Sequence, residues 1–313
     1  MILHPFIFSG FFLDCFLITV TASLFPHWSL LRFSGADAQA FLHGQLTCDV
    51  AALQPGSSSY GGYCTPKGRL LATFLLWLSA DGYTMLLPSA LTEAIRKRLT
   101  MYVLRSKVKV EDLTPDLACV GVFGADSAQQ VATLGGAMPE RLHGVVVRDG
   151  VIVIYLPAQR YLAVVPRAQA SMVDGSDAWT GLDIAAGIPF ILPATQEEFV
   201  PQMVNLDRIG GLSYSKGCYP GQEIVARTHY LGKLKQRMFR ASVAGPAVPG
   251  DKLYCAELGD QSGGMIVNSA HNADGRCTVL AVLQTAHALS APWHLGSVQG
   301  PVLELNSLPY QTS

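Results

Sequence analysis

The sequence predicts an α+β fold with a separate, all-strand unit at its carboxyl end. Three observations carry this. The 313 residues are 50% hydrophobic and only 14% charged, enough to bury a large core across two or three units. Up to about residue 235, strand-like and helix-like periodicities alternate. Beyond it, short strands follow one another at turn spacing with no helix between them, the pattern of a small β-barrel or sandwich.

The elements follow in order. Ser34 to Leu46 reads as a strand end followed by a helix, with Asp37 as its cap and Ala38, Phe41, Leu42 and Gln45-Leu46 at helical spacing. Tyr60 to Pro88 reads as three strands turning at Pro66-Lys67-Gly68 and Ala80-Asp81-Gly82. The next helix, Leu91 to Val103, places Leu91, Ile95, Leu99 and Tyr102 on one face and Arg96, Lys97 and Arg98 toward solvent. Strands are expected at Leu117 to Phe123 and as a pair in Gly144 to Val165 turning at Arg148-Asp149-Gly150, with a helix at Ser127 to Leu134 between. The terminal unit should contain strands at Arg237 to Val243, Lys252 to Leu258, Gly264 to Ser269, Cys277 to Gln284 and Pro301 to Leu305.

Charge and cysteines exclude several functions. A net charge of -1 leaves no chain-wide basic field for nucleic acid or an acidic membrane, so an anionic partner must meet a local patch. The 7 cysteines are an odd, dispersed set without C-x-x-C pairs or metal-ligand spacing. They imply a reducing compartment, the cytoplasm, and no metal site. The amino-terminal run MILHPFIFSGFFLDCFLITVTASLF is apolar, but no Lys or Arg precedes it, Asp14 interrupts it, and Ala22-Ser23-Leu24 is a weak cleavage site. The expectation is an extra segment over residues 1–26, without membrane function.

The stretch Ser215 to Arg227, SKGCYPGQEIVAR, frames one thiol between two glycines. Gly217, Pro220 and Gly221 are turn residues, and Gln222 to Arg227 has helical composition, so Cys218 should sit in a tight turn before a helix. A helix amino terminus and nearby cations, Lys216 and Arg227, would stabilise a thiolate. The residues alone leave a second reading open, a small buried cysteine within a turn.

The run Phe199 to Gly232, FVPQMVNLDRIGGLSYSKGCYPGQEIVARTHYLG, closely resembles the signature of the YgfZ family of folate-binding proteins, which includes mitochondrial assembly factors for iron–sulfur enzymes. The similarity extends to WSLLRFSGADAQAFLHGQLTCDV (28–50), YCTPKGRL (63–70) and WTGLDIAAGIP (179–189), and covers the chain from about residue 27 onward. That family is similar in fold to the T-protein of the glycine cleavage system, an aminomethyltransferase, and to folate-using demethylases. The resemblance implies three subdomains around a central opening that binds tetrahydrofolate, the last a β-barrel. It divides the chain into an extension (1–26), a folate-binding region (27–235) and a barrel (236–313).

The resemblance also implies the site. Trp28 and Trp179 match two tryptophans that contact folate in bacterial members, since a flat pterin gains by packing on an indole; by composition alone both would be ordinary core residues. Asp49 falls where the aminomethyltransferases carry a carboxylate near the folate nitrogens, with a turn or cap role as the alternative. Cys218 becomes the functional thiol, grouped with Lys216 and Asp49, while Tyr219, Gln222, Glu223 and Arg227 join the tryptophans around the cofactor. The implied function is a folate-dependent accessory role in maintaining iron–sulfur enzymes, including those that modify tRNA. The alternative is a folate-dependent aminomethyltransferase or demethylase. The implied partners are such enzymes or their assembly proteins.

One further patch is read from the residues. Arg227, Lys233, Lys235, Arg237 and Arg240 occur with no carboxylate among them. Spacing puts Lys233, Lys235 and Arg237 on one strand face, suited to folate's glutamate tail, RNA or an acidic protein, or else simply solvated.

Overall fold

A computed structural model describes residues 23–24, 27–170, 175–230, 232 and 234–311. Most of the expected amino-terminal extension, and Lys233, therefore lie outside the described residues.

The strands are Ser23–Leu24 (β1), Trp28–Ser34 (β2), Ser58–Cys64 (β3), Leu70–Ser79 (β4), Gly82–Pro88 (β5), Lys109–Asp112 (β6), Leu117–Phe123 (β7), Val145–Arg148 (β8), Val151–Leu156 (β9) and Arg160–Pro166 (β10). Gln236–Ala244 (β11), Lys252–Tyr254 (β12), Ser262–His271 (β13), Arg276–Gln284 (β14), His294–Leu295 (β15) and Leu303–Asn306 (β16) complete them. The α-helices are Ala38–His43 (α1), Ser89–Met101 (α2), Ser127–Thr133 (α3), Ser176–Ala185 (α4) and Gln222–Tyr230 (α5).

Three antiparallel sheets result. The first has the order β3-β4-β5-β2-β6 and the second β1-β7-β10-β9-β8. The third, β15-β12-β13-β14-β11-β16, curls until its edges meet: His294 bridges Val302, and the Leu303 N–H donates to the Trp293 carbonyl at 2.8 Å. Closing the edges in this way leaves few unpaired strand groups.

The first sheet is the middle layer, and strand β4 shows why its sequence is nearly continuous in apolar residues. Leu70, Ala72, Phe74 and Leu76 face a core shared with α1, α2 and Met238, Met265 and Val282 of the third sheet. Leu75 and Trp77 face the opposite core, shared with Leu162 and Val164 of the second sheet and with Trp28, Trp179 and Phe190. A strand buried on both faces loses the alternation that marks a half-exposed one. The third sheet wraps its own core around Trp293, Val279 and Ile266.

The structure departs from the sequence expectations at several elements. The pair expected in Gly144 to Val165 is three strands, because a second turn at residues 157–159 uses Ala158 (φ 65°) and Gln159 (φ 52°) in the left-handed region. No glycine marks that turn. Asp37 precedes α1 as expected, but its carboxylate accepts the Lys107 N–H at 2.7 Å rather than capping the helix. Helix α2 ends before Tyr102, which is 44% exposed. The strand expected at Lys252 to Leu258 stops at Tyr254 and turns into a 3-10 helix over Ala256–Leu258. Residues Ser23–Leu24, assigned to the extension, pair with β7 through Ser23↔Gly121 and Leu24↔Val120.

Candidate functional site

Two places collect the residues singled out by sequence, and they share no wall. The first is a cavity of about 190 Å³ where the first sheet, α4 and the third sheet meet. Trp28 and Pro88 come from β2 and β5, Thr180 and Asp183 from α4, and Asn268 and Ser269 from β13. Phe190 and Leu192 supply the apolar side.

The segment carrying Phe190 is held from both directions. Thr73 Oγ1 on β4 donates to the Pro189 carbonyl and accepts the Ile191 N–H, each at 2.9 Å. The Asn268 side chain accepts the Phe190 N–H at 3.0 Å and donates to its carbonyl at 2.8 Å. Phe190 thereby meets Trp28 edge-to-face, ring centroids 4.3 Å apart. Trp28 is 7% exposed, and its indole N–H has no hydrogen-bond partner among the described residues.

Asp183 provides the charge. Arg160, fully buried, donates Nη2 to Asp183 Oδ1 at 2.5 Å, and its guanidinium lies 4.3 Å from the Trp179 ring centroid. Burial pushes the Asp183 carboxyl up from its ordinary value, and the Arg160 cation opposes that shift. Trp179, one helical turn before Asp183, is therefore packed under the arginine rather than lining the cavity, unlike Trp28. Asp183 was legible in one respect, an acid four residues after a tryptophan on one helix face. Arg160 was not, since its partner lies 23 residues away in sequence.

The second place is the Cys218 turn, built where three sequence segments converge. Gly221, at φ +82°, backs onto Gly68 of the Pro66-Lys67-Gly68 turn so closely that a Cβ on it would lie 2.5 Å from the Gly68 Cα. Thr47 Oγ1 donates to the Gly211 carbonyl at 2.6 Å and accepts the Gly62 N–H at 2.8 Å, tying the LTCDV segment to β3 and to the approach of the turn. Lys216 folds inward and donates Nζ to the carbonyls of His43 and Leu46, at the end of α1 and just beyond it. The Lys216 ammonium lies 5.0 Å from the Tyr219 ring centroid, and burial holds its pKa down to about 8.

Cys218 itself is exposed, four residues ahead of α5. Cys48, Cys64, Cys119, Cys255 and Cys277 are buried, and burial pushes the Cys48 and Cys119 thiols up to about 12. The exposed reading of Cys218 is the one the structure shows. The flanking cations differ from expectation: Lys216 is committed to backbone carbonyls, and Arg227 pairs with Glu223 at 3.4 Å on the outer face of α5. Asp49 sits in a turn, accepting the Ala52 N–H at 3.1 Å and lying 3.5 Å from His43 Nδ1. Tyr219 is 6% exposed, and Gln222 donates to the Lys216 carbonyl at 3.3 Å. Tyr219, Gln222, Glu223 and Arg227 thus surround the thiol turn, and none of them lines the Trp28 cavity.

The basic segment also resolves differently. Strand β11 begins at Gln236, so Lys235 precedes it, and Lys233 lies outside the described residues. Arg237 is not a free cation: it pairs with Asp207 at 2.7 and 2.9 Å and donates to the Gln202 carbonyl. Sequence distance hid that carboxylate. No group of three or more His, Cys, Asp or Glu among the described residues is arranged to hold a metal, and none of their helices is long and apolar enough to cross a membrane.

Comparison with known proteins places this geometry. Residues 25–143 match the family model of the GCVT N-terminal domain. A glycine cleavage system aminomethyltransferase T from Bartonella henselae superposes with a TM-score of 0.74 over 91% of this chain and 84% of that one, at 15% identity. The "tRNA-modifying protein YgfZ" of Vibrio vulnificus is 32% identical over 304 residues, 93% of this chain and 92% of that protein. The protein of the same description from Sodalis glossinidius is 30% identical over 300 residues, 90% of each. With that identity along nearly the whole length of both chains, this protein belongs to the YgfZ family.

Proposed function

We propose that the protein binds tetrahydrofolate in the Trp28–Asp183 cavity and uses the exposed Cys218 to support the assembly or repair of iron–sulfur enzymes, among them enzymes that modify tRNA. The observation that carries the folate reading is the cavity itself. It joins the aromatic walls of Trp28 and Phe190 to polar residues on two other elements, Asp183 of α4 and Asn268 of β13. Those groups fit a flat, polar heterocycle that can both stack and hydrogen-bond, as a reduced pterin does. The shared fold with an aminomethyltransferase T and the description of the relatives as tRNA-modifying support the same reading.

The thiol acts elsewhere on the surface, so folate and cysteine have separable tasks. Cys218 belongs to no group of three or more His, Cys, Asp or Glu among the described residues that could hold a metal, which favours a transient role in delivery or repair over storage of a cluster. Lys235, exposed just ahead of β11, is a cation available to RNA or an acidic partner, and the cytoplasm is the compartment that suits free thiols.

Anaerobic calorimetric titration of the full chain with tetrahydrofolate tests the first half. Saturable binding is expected, weakened at least about tenfold in Trp28→Ala, which removes the aromatic wall. Absence of binding by the unmodified chain would end the folate reading. Cys218→Ala should leave that affinity unchanged while abolishing the recovery of iron–sulfur enzyme activity in cells lacking the protein.

A further inference from the structure

A basic projection of the first sheet, where α2 gives way to the edge strand β6, is used by neither the cavity nor the thiol turn. Its sequence, IRKRLTMYVLRSKVKV (95–110), holds six Lys or Arg and no carboxylate. Arg96 is taken by Glu93 at 2.7 Å and Lys109 by Glu111 at 2.6 Å. Lys97, Arg105 and Lys107 are exposed, and their side chains enter no ion pair among the described residues.

The loop that carries them is fastened at both ends. The Ser106 N–H donates to the Val103 carbonyl at 2.8 Å, closing a tight turn with Leu104 and Arg105 at its centre. The Lys107 N–H donates to Asp37 Oδ2 at 2.7 Å, and its carbonyl accepts the Asp37 N–H at 3.3 Å. Leu104 adopts φ 45°, in the left-handed region where a turn ordinarily places glycine or asparagine, yet its side chain is 86% exposed. A strained backbone that shows an apolar side chain to water gains nothing inside this chain, so the gain lies in contact with another molecule. Met101 and Tyr102, at the end of α2, are exposed as well.

The chemistry of the patch selects the partner. Cations without a neighbouring acid suit phosphates, and an exposed tyrosine with aliphatic side chains beside it suits the faces of unpaired bases. An anionic bilayer would meet the same cations, but interfacial binding draws on an apolar face the length of a helix, and here three side chains protrude. We propose that this projection docks RNA, with Lys97, Arg105 and Lys107 on phosphates and Tyr102 and Leu104 packed against unpaired bases. The proposal rests on the reading above that the protein serves enzymes that modify tRNA, and adds the surface through which it would hold their substrate. Helix α1 connects the two places: Asp37 at its start holds Lys107, and the His43 carbonyl at its end receives Lys216 of the thiol turn.

Fluorescence anisotropy of an end-labelled, unmodified tRNA transcript, titrated with the full chain, tests this. About three phosphate contacts predict an affinity that falls roughly twenty- to fortyfold between about 50 and 200 mM salt. The variant Lys97→Gln/Arg105→Gln/Lys107→Gln should bind at least about tenfold more weakly at the lower salt and lose most of the salt dependence. Leu104→Gly relieves the backbone while removing the apolar contact, so it should fold at least as stably, bind severalfold more weakly and keep the salt dependence.

If the unmodified chain does not bind the transcript, the proposal fails. Equal binding by the triple variant, or loss of binding in Lys235→Gln instead, would move RNA off this surface. Unchanged binding by Leu104→Gly would remove Leu104 from the contact. Binding of phosphatidylcholine–phosphatidylglycerol vesicles without binding of the transcript would overturn RNA in favour of a lipid surface. The tetrahydrofolate titration and the Cys218→Ala recovery decide the folate and thiol readings independently of each of these results.

Discussion

Lys216 shows how one residue can carry a different task from the one its neighbours in sequence imply. Beside a cysteine it reads as a cation for a thiolate, yet its ammonium is spent on the His43 carbonyl, which α1 leaves open at its end, and on the Leu46 carbonyl just beyond. That fastens the Cys218 turn to the first sheet's helix. Burial has a measurable consequence: the pKa of Lys216 is lowered from 10.5 to about 8, so between those values the unfolded chain binds more protons than the folded one. Stability conferred through this group therefore rises as pH increases from about 8 to 10.5. Urea titrations across that window should show the unmodified chain gaining stability relative to Lys216→Met, and a constant difference would refute the burial account. Cys218 yields a simpler expectation. With Cys48, Cys64, Cys119, Cys255 and Cys277 buried, iodoacetamide on the native protein should modify Cys218 before those five, as read by peptide mass spectrometry.

At the level of elements, the thiol loop owes its shape to a contact between two turns far apart in sequence. Gly221 presses on Gly68, each with positive φ, and a side chain on Gly221 would enter the Gly68 backbone. Gly221→Ala combines a left-handed backbone penalty of about 1–3 kcal/mol with a steric overlap of similar size. A drop of at least about 2 kcal/mol in denaturant unfolding is expected, and tolerance of the alanine would mean that the turns are not packed as described. Helix α5 shows the complementary lesson. Glu223 and Arg227, one turn apart and largely exposed, form a pair worth only tenths of a kcal/mol, so they shape the surface around Cys218 rather than its fold.

For the whole molecule, the cavity is significant because of where its walls come from. Trp28, Asp183 and Asn268 belong to β2, α4 and β13, elements that share no sheet. A ligand that bridges them stabilises the assembled chain, by about 2.7 kcal/mol at a hundredfold excess over Kd. Calorimetric melting with saturating tetrahydrofolate should thus raise the transition by roughly 5 °C. A melt unmoved under conditions where titration shows binding would place the ligand away from this junction.

Much of the fold was legible because it rests on local signals. Strands β3 to β5 and their turns, helices α2 and α3, and the change to short strands after residue 236 follow from periodicity and turn residues, and the family from the run around KGCYPGQE. The turn before a helix at Cys218 was legible for the same reason, whereas the residues alone left a reactive and a buried thiol equally open. What the sequence could not decide was direction and partnership. Whether Lys216 faces Cys218 or the α1 carbonyls, whether Arg237 is free or held by Asp207, and whether Trp179 lines a cavity or supports Arg160 all depend on groups brought near by chain folding. Local conformation is set by neighbours along the chain, whereas burial and charge pairing are set by neighbours in space, and the latter exist only once the three sheets have come together.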